Sequence, residues 1–421
     1  MFVLPPEVLG GLLEAMQALQ QSVRSVLHAV GLAPDVHGQP AWPFAQRLAA
    51  EMLVVDAGHA RRLALSLLCV CAALLAVGVS AAWRRARKPL WCLAAALLVL
   101  APWPQRHLLL TPAVATSLHQ SPTGFTAQGI VRGQAVYQQH CVRCHGTDAN
   151  GEGPDAAQLA MWPPNLNGAL LWKRLDGELF WRVRHGMQGR GGVQTMPGFD
   201  ATQLTDAQVW QVLDYLQAHA AGQMLRESGT WDRPVRLPDA WVDCRHGGRR
   251  SLRSLTGQRL RIAVPAVKPA QRPLEEDPRL VTLLVKASQG PPRPAEASGA
   301  VGALGALGAE PECASTDTHL LPALALVLGQ GAATPGDASA AWAATAGYQL
   351  IVDRAGWLRA RGLPGQAAWS EDDLVCRSTL TATPRPQQAA PASSPPADGL
   401  DALIRRMDAE PVRLVRGGFP H

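Results

Sequence analysis

The sequence predicts a multidomain fold: a membrane helical hairpin, then an all-α domain, then a C-terminal α/β domain. Three observations support this fold class. Two apolar runs lie between residues 63 and 104, a helix with an apolar stripe is predicted near residues 204–216, and strand-like runs alternate with helical segments beyond residue 230. A chain of 421 residues is long enough for two or three domains.

Composition and charge argue against one broad class of function. The chain is 47% hydrophobic and only 5% aromatic, and its formal net charge is +6. Part of the arginine excess lies in a cluster beside the apolar runs, and no predicted helix carries the basic stripe typical of nucleic-acid recognition. We therefore expect no nucleic-acid partner.

The N-terminal segment, residues 1–62, is predicted to be helical. Apolar residues recur at every third or fourth position from Val8 to Val30, which predicts an amphipathic helix. Such a helix lies on a membrane surface or packs on a partner, and a helix of a small N-terminal cap explains the pattern equally well. The segment lacks the short basic region, apolar core and small-residue cleavage site of a signal peptide.

Two apolar runs predict a transmembrane hairpin over residues 63–104. The run from Leu63 to Trp83 is long enough to cross a hydrocarbon core of about 30 Å, whereas the run from Leu90 to Trp103 is shorter. The loop between them is basic: Arg84, Arg85, Arg87 and Lys88. A hairpin places this loop in the cytoplasm, as the positive-inside rule requires. The alternative is a single span with a cytoplasmic N-terminus, which leaves the same cations at the outer surface of the membrane.

A linker of residues 105–126 leads to a five-residue motif, Cys141-Val142-Arg143-Cys144-His145. Two thiols three positions apart, followed at once by an imidazole, are the attachment signature of c-type haem. One helical turn brings both sulfurs to the two vinyl groups of one haem, and the adjacent His lies under the iron as its proximal ligand. The motif therefore predicts one covalent haem c bound by Cys141, Cys144 and His145, in an oxidising compartment.

The iron face opposite His145 requires a thioether or a second imidazole. Four methionines lie between the motif and the tail: Met161, Met187, Met196 and Met224. Met161 follows the attachment site too closely, and Met224 lies past the last helix of the domain. Met196 precedes a proline in a Gly-rich loop and is the predicted sixth ligand, while Met187, in a Gly-rich stretch, is its competitor.

The segment from Thr126 to Gly222 resembles the class I cytochrome c family. The first helix of that family carries a glycine and an aromatic residue before the attachment motif, and Gly133 and Tyr137 take these places. The loop Gly151-Glu152-Gly153-Pro154 is common in its shorter bacterial members. The resemblance implies an all-α haem domain over residues 127–222.

The same resemblance implies how the haem is bound. Pro163-Pro164-Asn165-Leu166 matches the segment whose backbone carbonyl accepts the proximal imidazole N–H, which orients that ligand and makes it more basic. Met196 stands at a family-like distance from the motif, which supports it as the sixth ligand. The last helix, predicted to begin at Thr205, is expected to cross the first near Gly133, with an aromatic such as Tyr215 at the crossing.

Beyond the haem segment the pattern changes to strands. Arg259 to Val264 and Arg279 to Lys286 are predicted strands, and Leu320 to Leu328 is a predicted helix. Tyr348 to Val352 is expected to pair with Trp357 to Ala360 across a glycine-containing turn. Strands that alternate with helices predict an α/β sheet.

The region of residues 231–378 resembles the thioredoxin-like redoxins and copper chaperones. Leu252 to Gly257 is similar to the lead into their first core strand, and Gly347 to Gly356 is similar to their Ile-Asp-x-x-Gly hairpin. The segment Pro265-Ala266-Val267-Lys268-Pro269 departs from the family, because it stands where the family carries a redox dithiol. Thiol–disulfide exchange needs an attacking and a resolving thiol. We therefore expect a degenerate domain used for structure, docking or metal contact.

Three cysteines lie outside the haem motif and the apolar runs: Cys244, Cys313 and Cys376. An odd number allows at most one disulfide among them, and a bond between Cys313 and Cys376 is favoured because both are predicted in loops. The tripeptide Cys244-Arg245-His246 is a weak candidate for holding a soft metal such as copper.

The tail, residues 379–421, is rich in proline and alanine. Such a composition buries too little apolar surface to fold alone, and it predicts disorder. A short helix is predicted within it, from Leu400 to Glu410.

Together these features predict a membrane-anchored periplasmic c-type cytochrome that passes single electrons to redox partner proteins. The haem and C-terminal domains would lie in the periplasm, anchored in a bacterial inner membrane. The alternative is an accessory or sensor protein in copper handling or oxidase assembly, with a docking C-terminal domain. An enzyme with an open iron position ranks third, because Met196 would fill that position. No catalytic acid, base or nucleophile is required, since the haem iron carries the redox chemistry.

Overall fold

The computed structural model describes most of the chain, and its contacts divide the chain into two compact units. The first comprises residues 1–119, 172–178 and 415–419, and the second comprises residues 120–171, 179–414 and 420–421. The described residues are 6–49, 57–103, 110–168, 174–266, 277–286, 311–331, 334–366, 368–376 and 399–412.

The first unit begins with the predicted N-terminal helix, here α1 (Pro6–Ala29). Two short antiparallel ladders belong to the same unit: β1 (Asp35–Val36) with β2 (Gln39–Pro40), and β3 (Gln46–Leu48) with β4 (Leu110–Pro112). The buried Gln20 amide joins α1 to β3, because it donates to the Leu48 carbonyl (3.3 Å) and accepts from the Leu48 N–H (2.9 Å). These contacts explain why one side of α1 faces protein.

Two apolar helices of the first unit form a packed hairpin: α2 (Ala57–Ala82) and α3 (Arg87–Leu100). They meet through small and aliphatic side chains: Ala73, Ala76, Leu90, Ala94 and Leu97. The Trp91 indole N–H donates to Ser80 Oγ across the hairpin (2.9 Å). Among the described residues, one helical segment, Arg61–Ala81, is long and apolar enough to cross a membrane, with a mean hydropathy of 2.5.

The helices of the second unit that precede the sheet are α4 (Ala127–His140), α5 (Val142–His145), α6 (Asp176–His185) and α7 (Asp206–Ser228), the first residues of α6 belonging to the first unit. Thr126 caps α4 by accepting a hydrogen bond from the Gly129 N–H (3.1 Å). Thr205 caps α7 in a reciprocal capping box with Gln208. The last helix of the segment therefore begins where the sequence predicted.

Helices α4 and α7 cross at Gly133, as the resemblance implied. A Cβ atom at this position would lie 1.9 Å from the backbone carbonyl oxygen of Gln211, so only glycine permits the approach. The rings of Tyr137 and Tyr215 pack beside the crossing with their centroids 5.2 Å apart. The close approach fixes the position of α4, whose C-terminal end leads directly into the attachment motif.

The sheet of the second unit has eight strands. In spatial order they are β7 (Val235–Arg236), β14 (Trp357–Gly362), β13 (Gln349–Val352), β10 (Arg259–Ala263), β11 (Leu280–Leu284), β12 (Cys313–Ser315), β8 (Trp241–Cys244) and β9 (Gly248–Ser251). Strands β10, β11 and β12 run parallel, and the other pairs are antiparallel. The predicted hairpin is the β13–β14 pair, whose turn Asp353 closes by accepting from the Ala355 and Trp357 N–H groups.

One face of the sheet packs on the haem-segment helices. Helices α8 (Leu320–Val327) and α9 (Ala338–Thr345) follow β12, and α8 is almost entirely buried. A Cβ atom at Gly222 of α7 would lie 2.0 Å from the carbonyl oxygen of Leu326 in α8. Buried residues of α4, α7, α8 and the sheet form one continuous apolar core. The two segments are therefore parts of one folded unit.

The opposite face of the sheet is covered by α10 (Gly399–Ala409). Its bounds differ by one residue at each end from those of the helix predicted in the tail. The alternating pattern of β10 is typical of a strand with one solvated face, yet all five of its residues are buried. The apolar side of α10 packs here, and Asp408 pairs with Arg259. The guanidinium of Arg261 is satisfied by Gln349 Oε1 (2.8 and 3.0 Å). A distant helix thus converts an apparently polar face into an interior layer.

The fully buried Arg359 guanidinium ties β14 to this helix. It donates to the carbonyls of Cys376 (3.3 Å), Met407 (3.3 Å) and Glu410 (2.7 Å), and it pairs with Asp353 (3.3 Å). The last turns of a helix carry unsatisfied carbonyls and partial negative charge. A single buried cation therefore neutralises both the carboxylate and the end of α10.

Replacing Arg359 with Met is expected to lower the free energy of unfolding by about 3 kcal/mol, because it leaves three carbonyls without their donor and the half-buried Asp353 carboxylate without its cation. Urea unfolding followed by tryptophan fluorescence measures the change. The control is Arg405→Met, which breaks the exposed pair with Asp401 and should cost less than about 1 kcal/mol. Equal losses in the two variants would contradict the role given to Arg359.

The structure corrects the expected disulfide. Cys244 on β8 and Cys313 on β12 are direct register partners with Cα atoms 4.0 Å apart, and their sulfurs are bonded. Cys376 is instead a buried free thiol beside β14, and burial raises its pKa to about 11. The predicted Cys313–Cys376 bond is wrong because β13, β10 and β11 lie between β14 and β12. Since the Cys244 sulfur is bonded, the Cys244-Arg245-His246 tripeptide loses its soft ligand.

Candidate haem-binding site

The attachment motif folds as one helical turn at the end of α4. The N–H groups of Cys144 and His145 both donate to the Cys141 carbonyl, at 3.2 and 2.9 Å. The turn stops at Gly146, whose φ of +79° is in the left-handed region that favours glycine. The structure thus brings together three of the four predicted site residues, Cys141, Cys144 and His145.

The loop after the motif packs tightly against this turn. A Cβ atom at Gly153 would lie 2.3 Å from the Arg143 carbonyl oxygen, and one at Gly151 would lie 2.2 Å from the Pro163 carbonyl oxygen. The Tyr137 hydroxyl donates to the Gly146 carbonyl (2.8 Å). Glycines at these two places let the backbone of the loop approach the motif, which explains the Gly-x-Gly spacing in the sequence.

The His145 imidazole is partly buried beside the proline segment. Burial lowers its pKa, and the carbonyl of Pro164 acts in the opposite direction. Its Nδ1 atom is buried and has no well-aligned hydrogen-bond partner. A neutral imidazole is the form that binds a metal ion. A buried ring nitrogen close to the Pro164 carbonyl therefore fits a proximal ligand that is oriented through its other nitrogen.

The two motif thiols are suited to covalent attachment. Cys141 and Cys144 are both free and partly buried, and they are not bonded to each other. Burial raises the pKa of the Cys141 thiol to about 12, with a smaller contribution from Cys144. The two sulfurs lie on one helical turn, as two thioether bonds to one haem require.

The fourth predicted site residue, Met196, lies on a separate hairpin. Strands β5 (Met187–Gln188) and β6 (Gln194–Met196) pair so that Met187 and Met196 are direct cross-strand partners. Directly opposed residues project from the same side of a two-stranded ribbon. The side chains of Met187 and Met196 therefore lie on the same side of the hairpin, and both remain candidates for the sixth ligand. A guanidinium N–H of Arg182 donates to the Met187 sulfur (3.4 Å).

A ring contact connects the Met196 hairpin with the motif. Phe199, three residues after Met196, lies edge-on to the His140 ring with their centroids 5.8 Å apart. His140 immediately precedes Cys141, and both Cys141 and Phe199 pack against the core of the second unit. The segment that carries the predicted sixth ligand therefore reaches the helix end that carries the two thiols.

Sequence reasoning missed two arginines of this site. Arg182 and Arg184 stand in the last turn of α6, where basic residues are usually explained by the helix dipole alone. Arg184 is buried, and it donates to the loop after Met196 rather than to the end of its own helix. An alternation of Arg with apolar residues directly before a Gly-rich loop is the signal that could have indicated it.

Comparisons with known proteins identify a family model that matches this segment. Residues 128–216 match the family model described as cytochrome C oxidase, cbb3-type, subunit III. No curated protein matches the chain. A chain of the reducing HAO-like protein complex of Kuenenia stuttgartiensis is similar, with 17% sequence identity and a TM-score of 0.19. That similarity covers 30% of this chain and 58% of that chain, so the match spans less than two thirds of the similar chain.

The family match shows that the segment is a cytochrome c domain, which confirms the resemblance to cytochromes c for this part of the chain. A cytochrome c domain implies a haem c cofactor and haem-based electron transfer. Such domains are typically extracytoplasmic, and one helix that precedes this domain is long and apolar enough to span a membrane.

Proposed function

We propose that this protein is a membrane-anchored, periplasmic electron-transfer protein with one haem c bound by Cys141, Cys144, His145 and Met196. The observation that supports it most is the helical turn that carries two free thiols and a partly buried imidazole inside a cytochrome c domain. The haem supplies a one-electron couple at its iron. The protein binds the group, orients the proximal imidazole and limits the access of water.

The choice of Met196 over Met187 is supported by their contacts. The Met187 sulfur already accepts a hydrogen bond from Arg182, whereas the Met196 sulfur makes no hydrogen bond within the described part of the chain. His/Met ligation raises the reduction potential of a c-type haem. A thioether on the sixth position also closes the iron to small molecules, which favours a carrier of electrons over an enzyme.

Visible spectra of the purified protein, oxidised and reduced, test this function. The reduced protein should show the sharp α and β bands of a six-coordinate c-type haem. The oxidised protein should show a weak far-red band from a thioether on ferric iron. A reduced spectrum that changes at once on addition of carbon monoxide would contradict the carrier function, because it would reveal an open iron position.

The membrane hairpin is proposed from the surfaces of α2 and α3. Large apolar side chains project outward along both helices: Leu68, Leu74, Leu75, Val99 and Leu100. A continuous apolar surface of this kind is rare on soluble proteins. Two exposed tryptophans, Trp83 and Trp103, flank α3, and tryptophan is enriched where a membrane meets water. We infer two spans with both termini in the periplasm.

Reporter fusions test this topology against a single span. A reporter fused after Arg87 should behave as cytoplasmic, because the basic loop stays inside, and a reporter fused after Gly222 should behave as periplasmic. Alkaline phosphatase activity is the readout for export. The Gly222 fusion is the matched control, since both topologies export it. Export of the Arg87 fusion would support the single span.

The C-terminal region, residues 231–378, is proposed to be a degenerate thioredoxin-like domain that serves structure and docking. Two features of the sheet support this assignment: strand β10 has β11 as a parallel neighbour, and β13 and β14 form an antiparallel hairpin beside β10. The last three residues of the segment that replaces the redox dithiol, 267–269, lie outside the described residues. The core that this region shares with α4 and α7 supports a structural role. Redox partner proteins and the membrane are the proposed partners.

The second candidate is an accessory or sensor role in copper handling or oxidase assembly. Cys244 is bonded to Cys313, and no group of three or more His, Cys, Asp or Glu side chains within the described ranges is arranged to hold a metal ion. Oxidase assembly through docking alone stays compatible with the shared core.

A further inference from the structure

The loop that follows Met196 is attached to the end of helix α6 through its backbone. The Phe199 N–H donates to the Val183 carbonyl (3.0 Å). A Cβ atom at Gly186 would lie 2.4 Å from the Met196 carbonyl oxygen, and one at Gly198 would lie 2.7 Å from the Arg184 carbonyl oxygen. Residues 184–186 and 196–198 are therefore in backbone contact, and the position of Met196 depends on the end of α6.

One buried side chain extends this attachment over the whole loop. The Arg184 side chain is 4% exposed. Its Nη1 donates to the carbonyls of Phe199 (3.1 Å), Asp200 (3.2 Å) and Leu204, and its Nη2 forms an ion pair with Asp206. The four acceptors cover the loop from the third residue after Met196 to the first turn of α7.

The chemistry of arginine suits this arrangement. A guanidinium presents its N–H donors in a rigid planar fork and stays charged at any pH that the protein meets. Hydrogen bonds from a charged donor are shorter and stronger than neutral ones, and burial protects them from competition by water. Lysine offers one compact head group that cannot reach all four acceptors from the same place. The fork therefore holds three carbonyls and a carboxylate in one fixed arrangement.

We propose that Arg184 is the positioning residue that keeps Met196 in place as the sixth ligand. The proposal rests on the proposed His/Met ligation. Arg184 acts through the loop, and it touches neither the sulfur nor the iron. Arg182, two residues earlier on the same helix, donates a hydrogen bond to the sulfur of the competing Met187. This contact favours Met196 as the ligand.

Displacement of the methionine by imidazole in the oxidised full-length protein tests the proposal. Arg184→Met keeps an unbranched apolar stem and removes every donor, so the loop should open more often and imidazole should bind roughly tenfold tighter or more. The far-red band should weaken and the reduction potential should fall. Arg184→Lys keeps the charge beside Asp206 and should fall between the two. Arg405→Met removes an exposed ion pair with Asp401 outside the haem segment; as the control, it should keep the wild-type band and imidazole affinity.

The outcomes separate this proposal from the function it rests on. Wild-type imidazole affinity and a full far-red band in both Arg184→Met and Arg184→Lys would overturn the positioning role and leave Met196 ligation intact. If Arg184→Met does not fold, as judged by circular dichroism, the Arg184→Lys variant decides on the same criteria. Absence of the far-red band from the wild-type protein would overturn the ligation and the positioning role together.

Discussion

Replacing Cys141 and Cys144 together with alanine is expected to abolish covalent haem. Thioether bonds survive denaturation, so wild-type protein should retain its haem through extraction with acidified acetone, whereas the double variant should release all of it. The measurement is the haem absorbance that stays with the precipitated protein. The effect is complete because the two sulfurs of the turn are the only thiols of the motif.

A matched control separates loss of attachment from loss of a thiol. Cys376 is also a free thiol, and it lies buried beside β14, outside the motif. Cys376→Ala should retain covalent haem at the wild-type level. Haem that stays bound to the double variant after extraction would rule out attachment at Cys141 and Cys144.

The features that the sequence predicted well are local. The attachment turn spans five residues, and its geometry follows from backbone hydrogen bonds within those residues. The cap at Thr205 is likewise set within three residues of the helix start. The crossing at Gly133 is not local, and it was expected only because the segment resembles a known family.

The features that the sequence did not predict depend on contacts between distant segments. The disulfide joins cysteines 69 residues apart, and its pairing follows from a strand order in which β12 lies beside β8. The burial of Arg259 follows from the docking of α10, which is about 150 positions away in the chain. Periodicity within one strand contains no information about which helix will cover it.

The role of Arg184 belongs to the same group. A basic residue in the last turn of a helix ordinarily interacts with the carbonyls at the end of that helix. Three carbonyls of the loop beyond Met196 and the carboxylate of Asp206 are the actual partners of Arg184. A loop whose own backbone donors and acceptors are unpaired needs a partner from elsewhere, and sequence reasoning identified the loop without identifying that partner.

Replacing Met196 with alanine is expected to open the sixth position of the iron. Loss of the thioether should remove the far-red band of the oxidised protein, and it should lower the reduction potential because thioether ligation stabilises the reduced state. The reduced variant should bind carbon monoxide, which the wild-type protein should exclude. Optical titration of the potential and carbon monoxide difference spectra measure these effects on one sample.

Met187→Ala is the matched control, because Met187 is the direct cross-strand partner of Met196 and projects from the same side of the hairpin. The Met187 sulfur is engaged by Arg182, so its removal should leave the band, the potential and the exclusion of carbon monoxide unchanged. Loss of the band in Met187→Ala, together with its retention in Met196→Ala, would assign the ligand to Met187. Ready binding of carbon monoxide by the wild-type reduced protein would favour an enzyme or a sensor over a carrier, because an electron carrier with both axial positions filled offers the gas no site.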